Sequence, residues 1–213
     1  TVASISNGIG SRGLATALAA GTTTLEAVYL GTRGSVVLTV TAATIDRIQV
    51  TPFVPTIPAG FGAQLQATAI FTDGSTRDVT GLATWTSTAP AAASVSNAIG
   101  SRGRLTARAA GSGDAEATYL GVSGRTTFTI TGATLTTIDV TPATASVAVG
   151  ARTAFEAEGS FSDGSTLDIT AFVTWGAANL RVADVSNAAG SRGEATGFAP
   201  GMTAVTATRG AVS

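Results

Sequence analysis

Hydrophobic and polar residues alternate along much of this chain with the period of two that predicts β-strands. The segment 63–72 places its apolar side chains on one face (Leu65, Ala67, Ala69 and Phe71) and its polar ones on the other (Gln64, Gln66 and Thr68). The segment 155–161 keeps this register, with Phe155, Ala157, Gly159 and Phe161 facing inward, and a slip of one residue would bury Glu156 and Glu158. Ile45–Thr51 predicts a further half-buried strand.

Turn residues separate these strands at short intervals. Asp73-Gly74 and Asp163-Gly164 supply the positive φ angles of tight hairpin turns. Two more hairpins are predicted, one pairing 93–97 with 105–109 and one pairing 115–120 with 126–131 through a connection at 121–124. Three prolines, Pro52, Pro55 and Pro58, predict an edge segment that crosses between sheets. About seven short strands per unit and no helical periodicity favour an all-β fold, an immunoglobulin-like antiparallel β-sandwich.

The chain repeats itself every 90 residues without an insertion or deletion. A Ser-Asn-x-x-Gly-Ser-Arg-Gly motif or its near copy occurs at 6–13, 96–103 and 186–193, and Trp85 recurs as Trp175. We therefore predict tandem modules: residues 1–42 (repeat 1) as the C-terminal half of a module, 43–132 (repeat 2) as a complete module, and 133–213 (repeat 3) as a module without its last strand. We expect a section of a longer chain; the alternative is that another copy supplies the missing strands.

The large aromatic side chains have two interpretations. Trp85 and Trp175 would serve as sugar-stacking platforms if exposed, or as the centre of each core if buried, and their place in a strand favours the core. With Phe71 and Phe161 they are the predicted core markers. Removing a buried tryptophan side chain typically costs about 3–5 kcal/mol.

Composition narrows the function. Only 12% of the residues are charged, all twelve basic residues are arginine, and the net charge is −1, so no basic surface for nucleic acid is expected. Without histidine or cysteine, the usual general base, thiol nucleophile and thiolate metal ligands are missing. We predict no enzyme, no cofactor and no metal site. No apolar stretch approaches the roughly 20 residues of a membrane span.

Two groups of polar residues are candidate sites. The glycine-rich loop offers Asn97, Ser101 and Arg102, with Asn187, Ser191 and Arg192 in repeat 3; it is either a hairpin loop that satisfies its own backbone or a contact with a neighbouring module or chain, in which the arginine would fork onto an acceptor. Asp73 with Asp78, and Asp163 with Asp168, lack the dense oxygen set that calcium needs, so turn and strand-start roles are expected.

The motifs in this order resemble the bacterial Ig-like domain group 2, the invasin/intimin-type repeat of bacterial surface proteins. The matching segments are 50–52, Gly60, 64–68, 71–80, 83–85, 94–97, 109–111 and 117–119. Arg209 departs from the pattern, since the other two repeats carry Tyr29 and Tyr119 there. The resemblance implies stacked β-sandwiches on a cell surface or in a secreted protein, without catalysis.

The predicted function is therefore a structural stalk. The short connection 131–134 leaves little freedom between modules, and each module would extend the rod by on the order of 40 Å at about 3.3 Å per residue. Its expected partners are neighbouring modules, with self-association as a possibility. The alternatives are a self-assembling extracellular filament and a carbohydrate-binding accessory array.

Overall fold

The structure, a computed structural model, describes residues 1–53 and 55–213. Every regular element in these residues is a β-strand, as the all-β prediction requires. None of the described residues forms a helix long and apolar enough to cross a membrane.

The strands follow the sequence repeat. Repeat 1 contains β1 (Ala3–Ile5), β2 (Ala15–Ala17), β3 (Gly21–Tyr29) and β4 (Thr32–Val40). The described part of repeat 2 contains β5 (Ile45–Thr51), β6 (Thr56–Pro58), β7 (Gly62–Gln64), β8 (Gln66–Phe71), β9 (Thr76–Asp78), β10 (Thr84–Ser87), β11 (Ala93–Val95), β12 (Arg104–Ala107), β13 (Gly111–Tyr119) and β14 (Val122–Thr131). Repeat 3 contains β15 (Leu135–Thr141), β16 (Arg152–Ala154), β17 (Glu156–Phe161), β18 (Thr166–Asp168), β19 (Thr174–Ala177), β20 (Ala183–Val185), β21 (Glu194–Gly197) and β22 (Val205–Thr208).

Repeat 2 folds as a β-sandwich. Its sheets have the strand orders β5-β8-β9, β10-β13-β14-β6 and β11-β12-β7. Strand β5 lies against β14 so closely that a Cβ on Gly124 would overlap the carbonyl of Ile48. The sandwich interior is filled by buried apolar side chains from both sides, among them Val50, Leu65, Trp85 and Phe128.

The segment 63–72 is not the single strand that its alternation predicts. The chain breaks at Leu65, whose N–H donates to the carbonyl of Gly103 at 2.9 Å. Before the break β7 pairs with β12, and after it β8 pairs with β5. The inward face is as predicted for Leu65, Ala67 and Ala69, all fully buried, while Phe71 is half-buried. Alternation shows which side faces the core, but not which sheet a strand joins.

The hairpin between β13 and β14 is tighter than the predicted connection at 121–124. Only Leu120 and Gly121 form the turn, with φ angles of 49° and 82°. Ser123 and Gly124 already pair with Thr118 and Ala117 across the ladder. Positive φ at both positions is the geometry that suits a two-residue hairpin.

The proline-rich segment is an edge strand, as predicted, but its pairing is parallel. Thr56–Pro58 pairs with Thr129–Thr131 in parallel register, whereas the other described strand pairs are antiparallel. Pro58 ends the strand, where a missing N–H costs the ladder least.

The tryptophans lie inside the sandwiches. Trp85 and Trp175 are 2% and 3% exposed. Each indole Nε1–H donates to a carbonyl, of Thr80 and of Thr170 respectively, at 3.1 Å. A buried indole N–H needs such a partner because water cannot reach it. Phe161 is also buried, at 4% exposed.

Candidate functional site

The candidate site is the joint between repeats 2 and 3, where side chains of both repeats are in contact. Strand β14 ends at Thr131 and β15 begins at Leu135, so only residues 132–134 connect them. This confirms the short connection expected from the sequence. A connection this short keeps the two repeats in contact.

Hydrogen bonds fasten the connection to the next repeat. The carbonyl of Thr134 accepts from the N–H of Ser162 at 2.9 Å, and the N–H of Thr134 donates to the Ser162 hydroxyl at 3.1 Å. Thr44 and Thr72 make the same two bonds after the connection from repeat 1 to repeat 2, at 2.9 and 3.2 Å. The residue before the first strand of each of these repeats is therefore bound to the hairpin turn of its own repeat.

The aspartates of these turns take part in the same contacts. Asp73 accepts hydrogen bonds from Ser75 and from the hydroxyl of Thr41, the latter at 2.7 Å. The Ser75 hydroxyl, the Thr41 hydroxyl and the Ser75 N–H favour the ionised carboxylate and lower the pKa of Asp73 from about 3.8 to about 2. Ser165 and then Thr131 lower the pKa of Asp163 in the same way. The turn role predicted for these aspartates is confirmed.

An aromatic cluster fills the joint between repeats 2 and 3. Phe61, in the turn after β6, meets Phe161 edge-on with ring centroids 5.1 Å apart and Phe172 at 5.5 Å. Although Phe61 lies in a turn at the edge of its sandwich, it is only 5% exposed. Edge-to-face aromatic pairs of this kind contribute about 0.5–1.5 kcal/mol beyond the area that they bury.

Arg209 closes the cluster. Its guanidinium Nη1 donates to the carbonyl of Phe172 at 2.6 Å and its Nη2 to the carbonyl of Gly60 at 2.7 Å. The guanidinium carbon lies 4.2 Å from the ring centroid of Phe61. One side chain thus bonds to both repeats and covers the ring between them. A partly desolvated cation over an aromatic face contributes on the order of 1–2 kcal/mol.

Two features hold these groups in place. Arg209 lies just after β22, in a tight turn closed by its own N–H donating to Val212 at 2.9 Å. Arg104, at the start of β12, places its guanidinium carbon 5.6 Å from the ring centroid of Phe172. The cluster is therefore built from strand ends and a turn rather than from long loops.

The glycine-rich loop directs its polar side chains toward its own repeat. The Asn97 side chain bonds both backbone groups of Trp85, accepting from its N–H and donating to its carbonyl, each at 2.8 Å. Ser101 bonds Ser96, and Arg102 donates to the carbonyls of Asn97 and Gly81. The same bonds recur in repeat 3 for Asn187, Ser191 and Arg192. The fully exposed tip of the loop in repeat 2 is Ile99.

The described residues contain no group of three or more carboxylates able to hold a metal ion, and the carboxylates that form ion pairs do so with exposed arginines. Sequence reasoning did not identify Phe61, Phe172 or Gly60 as site residues. It noted Arg209 only as a departure from the repeat, and that departure was the available signal.

Two segments, 44–130 and 134–213, match the bacterial Ig-like domain (group 2). Ice-binding protein 1 of Shewanella frigidimarina (strain NCIMB 400) is 37% identical over 200 residues, which cover 93% of this chain and 22% of that protein. The chain thus spans about a fifth of the length of this relative.

Solved structures of the surface layer protein SbsC are also similar. Its domains 4–9 match at 18% identity with a TM-score of 0.47, covering 93% of this chain and 34% of that one. Its domains 1–6 match at 20% identity with a TM-score of 0.37, covering 93% and 35%. These likenesses are too distant to say more about this chain. The two family matches together extend over most of its length, and the chain belongs to the bacterial Ig-like domain (group 2) family.

Proposed function

We propose that this chain is a non-catalytic spacer, a stalk of stacked Ig-like modules in a cell-surface or secreted bacterial protein. The observation that carries the proposal is the joint at Arg209, where one guanidinium binds the carbonyls of Gly60 and Phe172 and so ties two repeats together. A spacer keeps a distance only when its modules do not swing freely about their connections.

The shared linker contacts support the same role. Both connections are hydrogen-bonded to the following turn through Thr44 and Thr134. The family and the ice-binding relative agree with an extracellular place of action. The relative is named for binding ice, and this chain matches only part of it; we assign to the chain the role of a spacer and not ice binding. A solution of the chain alone should then show no thermal hysteresis, that is, no gap between its melting and freezing temperatures.

Light scattering after size exclusion and small-angle X-ray scattering test the proposal. We expect a monomer at all concentrations and an elongated profile, with an advance on the order of 40 Å per repeat. A compact particle, or thermal hysteresis from the chain alone, would contradict the spacer.

A filament subunit is the second candidate, because one apolar face is uncovered. One face of the β3–β4 hairpin corresponds to the face of β13–β14 that is buried in repeat 2. On this face the side chain of Tyr29 is 78% exposed and that of Val36 is 62% exposed. Electron microscopy of concentrated protein should show fibres if neighbouring copies cover this face. A Val36→Ser variant should abolish such fibres, whereas the spacer predicts none with either sequence.

A further inference from the structure

The joint between repeats 2 and 3 is built largely from residues at which the repeats differ. We call Gly60, Phe61 and Arg104 the trailing face of repeat 2, and Phe161, Phe172 and Arg209 the leading face of repeat 3. At the corresponding positions Phe61 is replaced by Ala151, Arg104 by Leu14 and Glu194, Phe172 by Leu82, and Arg209 by Tyr29 and Tyr119. Gly60 and Phe161 are the two that recur, as Gly150 and Phe71.

The linker contacts behave in the opposite way. Thr44 and Thr134 make equivalent bonds at the start of repeats 2 and 3, and the turn aspartates Asp73 and Asp163 recur as well. Because these contacts are the same in both repeats, they cannot distinguish one neighbouring repeat from another. The residues that differ are concentrated where the two faces touch.

The side chains of the leading face need specific partners on the trailing face. Arg209 uses two donors in a planar fork, one toward each repeat, and its guanidinium carbon lies over the ring of Phe61. A tyrosine hydroxyl at this position offers a single donor and no charge. An alanine at the Phe61 position, such as Ala151 in repeat 3, offers no ring to cover.

We propose that these residues form an order-specific joint. The leading face of repeat 3 accepts a preceding module that carries a phenylalanine at the Phe61 position, and it does not lock onto one that carries alanine there, as repeat 3 itself does. The partner of this surface is thus an Ig-like module of one particular type. The residues on these faces therefore determine which module can pack against which, in addition to the order that the covalent chain imposes. This inference rests on the contacts of the joint and not on the spacer role.

Distance measurements between two spin labels test the joint in the full chain. Because the chain has no cysteine, Ile99→Cys and Ala189→Cys provide two unique labelling sites at the same loop tip of repeats 2 and 3. Both positions are exposed and outside the joint. The width of the distance distribution then reports how firmly repeat 3 is held against repeat 2.

Two substitutions exchange joint residues for those of the other repeats. Arg209→Tyr introduces the residue of repeats 1 and 2, and Phe61→Ala introduces that of repeat 3. Each should broaden the distance distribution. Each should also lower the melting temperature of repeat 3 by about 4–8 °C, the shift expected for a domain of this size when a single favourable contact is lost. The double variant should broaden the distribution by less than the sum of the two single variants, because the contact between Arg209 and Phe61 is common to both.

Arg108→Tyr, an exposed arginine of repeat 2 outside the joint, is the matched control and should leave the distribution narrow. Arg209→Lys keeps the charge without the planar fork and should give an intermediate width, so it also tests the joint if Arg209→Tyr folds poorly. A distribution unchanged by both Arg209 variants, or broadened equally by the control, would overturn the order-specific joint. The spacer is tested separately, by the oligomeric state and the scattering profile of the unmodified chain.

Discussion

Single polar side chains replace missing backbone pairing in repeats 2 and 3. Asn97 is the clearest case, because its amide occupies both the N–H and the carbonyl of Trp85 at 2.8 Å. The bond ties the loop to the strand that carries the core tryptophan. The side chain therefore has a structural task, which leaves Ile99 as the part of the loop that faces outward.

Asn97→Ala should lower the free energy of unfolding of repeat 2 by about 1–3 kcal/mol, because two half-buried backbone groups lose their partner. Asn7→Ala is the matched control. Asn7 has the same loop position in repeat 1 but no tryptophan within the chain to bridge, so its replacement should have almost no effect. Urea denaturation followed by far-ultraviolet circular dichroism, which reports on the strands of every repeat, measures both variants, and equal losses would contradict this assignment.

Asp73 predicts a pH dependence. Its pKa in the folded protein, about 2, lies below its ordinary value of about 3.8, so ionised Asp73 stabilises the fold. This stabilisation is fully present above pH 3.8 and is lost as the pH falls toward 2. Thermal unfolding between pH 5 and 2 should show a steeper loss of stability than in Asp73→Asn, which has no proton to gain. Parallel curves would exclude a contribution from Asp73, and a carboxyl-carbon NMR titration checks its pKa directly.

At the scale of elements, the partner strand decides where a strand begins and ends. Thr56–Pro58 is a strand because β14 lies beside it, whereas the corresponding residues 146–148 of repeat 3 are not in a strand. Each segment has a β-branched residue at its centre, Ile57 or Val147, so local propensity is similar. Repeat 3 has no counterpart of β14 within the chain, and the pairing is therefore missing.

Gly124→Ala should destabilise repeat 2 by about 1–3 kcal/mol or more, because the new methyl group would overlap the Ile48 carbonyl of the facing strand. Gly34→Ala is the matched control at the same strand position of repeat 1, where no atom lies within 4 Å of the added carbon. Calorimetry of both variants measures the difference. If Gly124→Ala were as harmless as Gly34→Ala, the close approach of β5 to β14 would be wrong.

At the scale of the whole molecule, the joint changes the burial of residues that the repeats share. Phe161 is 4% exposed and meets Phe61 across the joint, whereas Phe71, its counterpart in repeat 2, is only half-buried. The same residue at the same strand position thus has a different environment in each repeat. The difference comes from the neighbouring repeat and not from the local sequence.

Phe161→Ala should therefore lower the stability of repeat 3 by about 3–5 kcal/mol, as for a core phenylalanine. It should also weaken hydrogen-exchange protection around Gly60 and Phe61 in repeat 2, since their packing partner is removed. Phe71→Ala should cost less and leave repeat 3 unchanged. Exchange measured by mass spectrometry separates these outcomes, and a Phe161→Ala effect confined to repeat 3 would show that the joint does not couple the repeats.

The sequence by itself determined the class of fold, the repeat and the inward faces of the strands. Alternation at Leu65, Ala67 and Ala69 is a local consequence of burying one face of a strand, and Asp73-Gly74 specifies its turn by backbone geometry alone. These features depend on residues close together in the chain. They can therefore be inferred from one sequence.

Only the tertiary structure decided the break at Leu65, the parallel pairing of Thr56–Pro58 and the composition of the joint. Each depends on groups far apart in the chain, such as Arg209 and Gly60, which are 149 residues apart. Arg209 was visible as an exception to the repeat, but nothing local indicates that its guanidinium reaches a carbonyl of the preceding repeat. That contact exists because a short connection brings two folded sandwiches end to end.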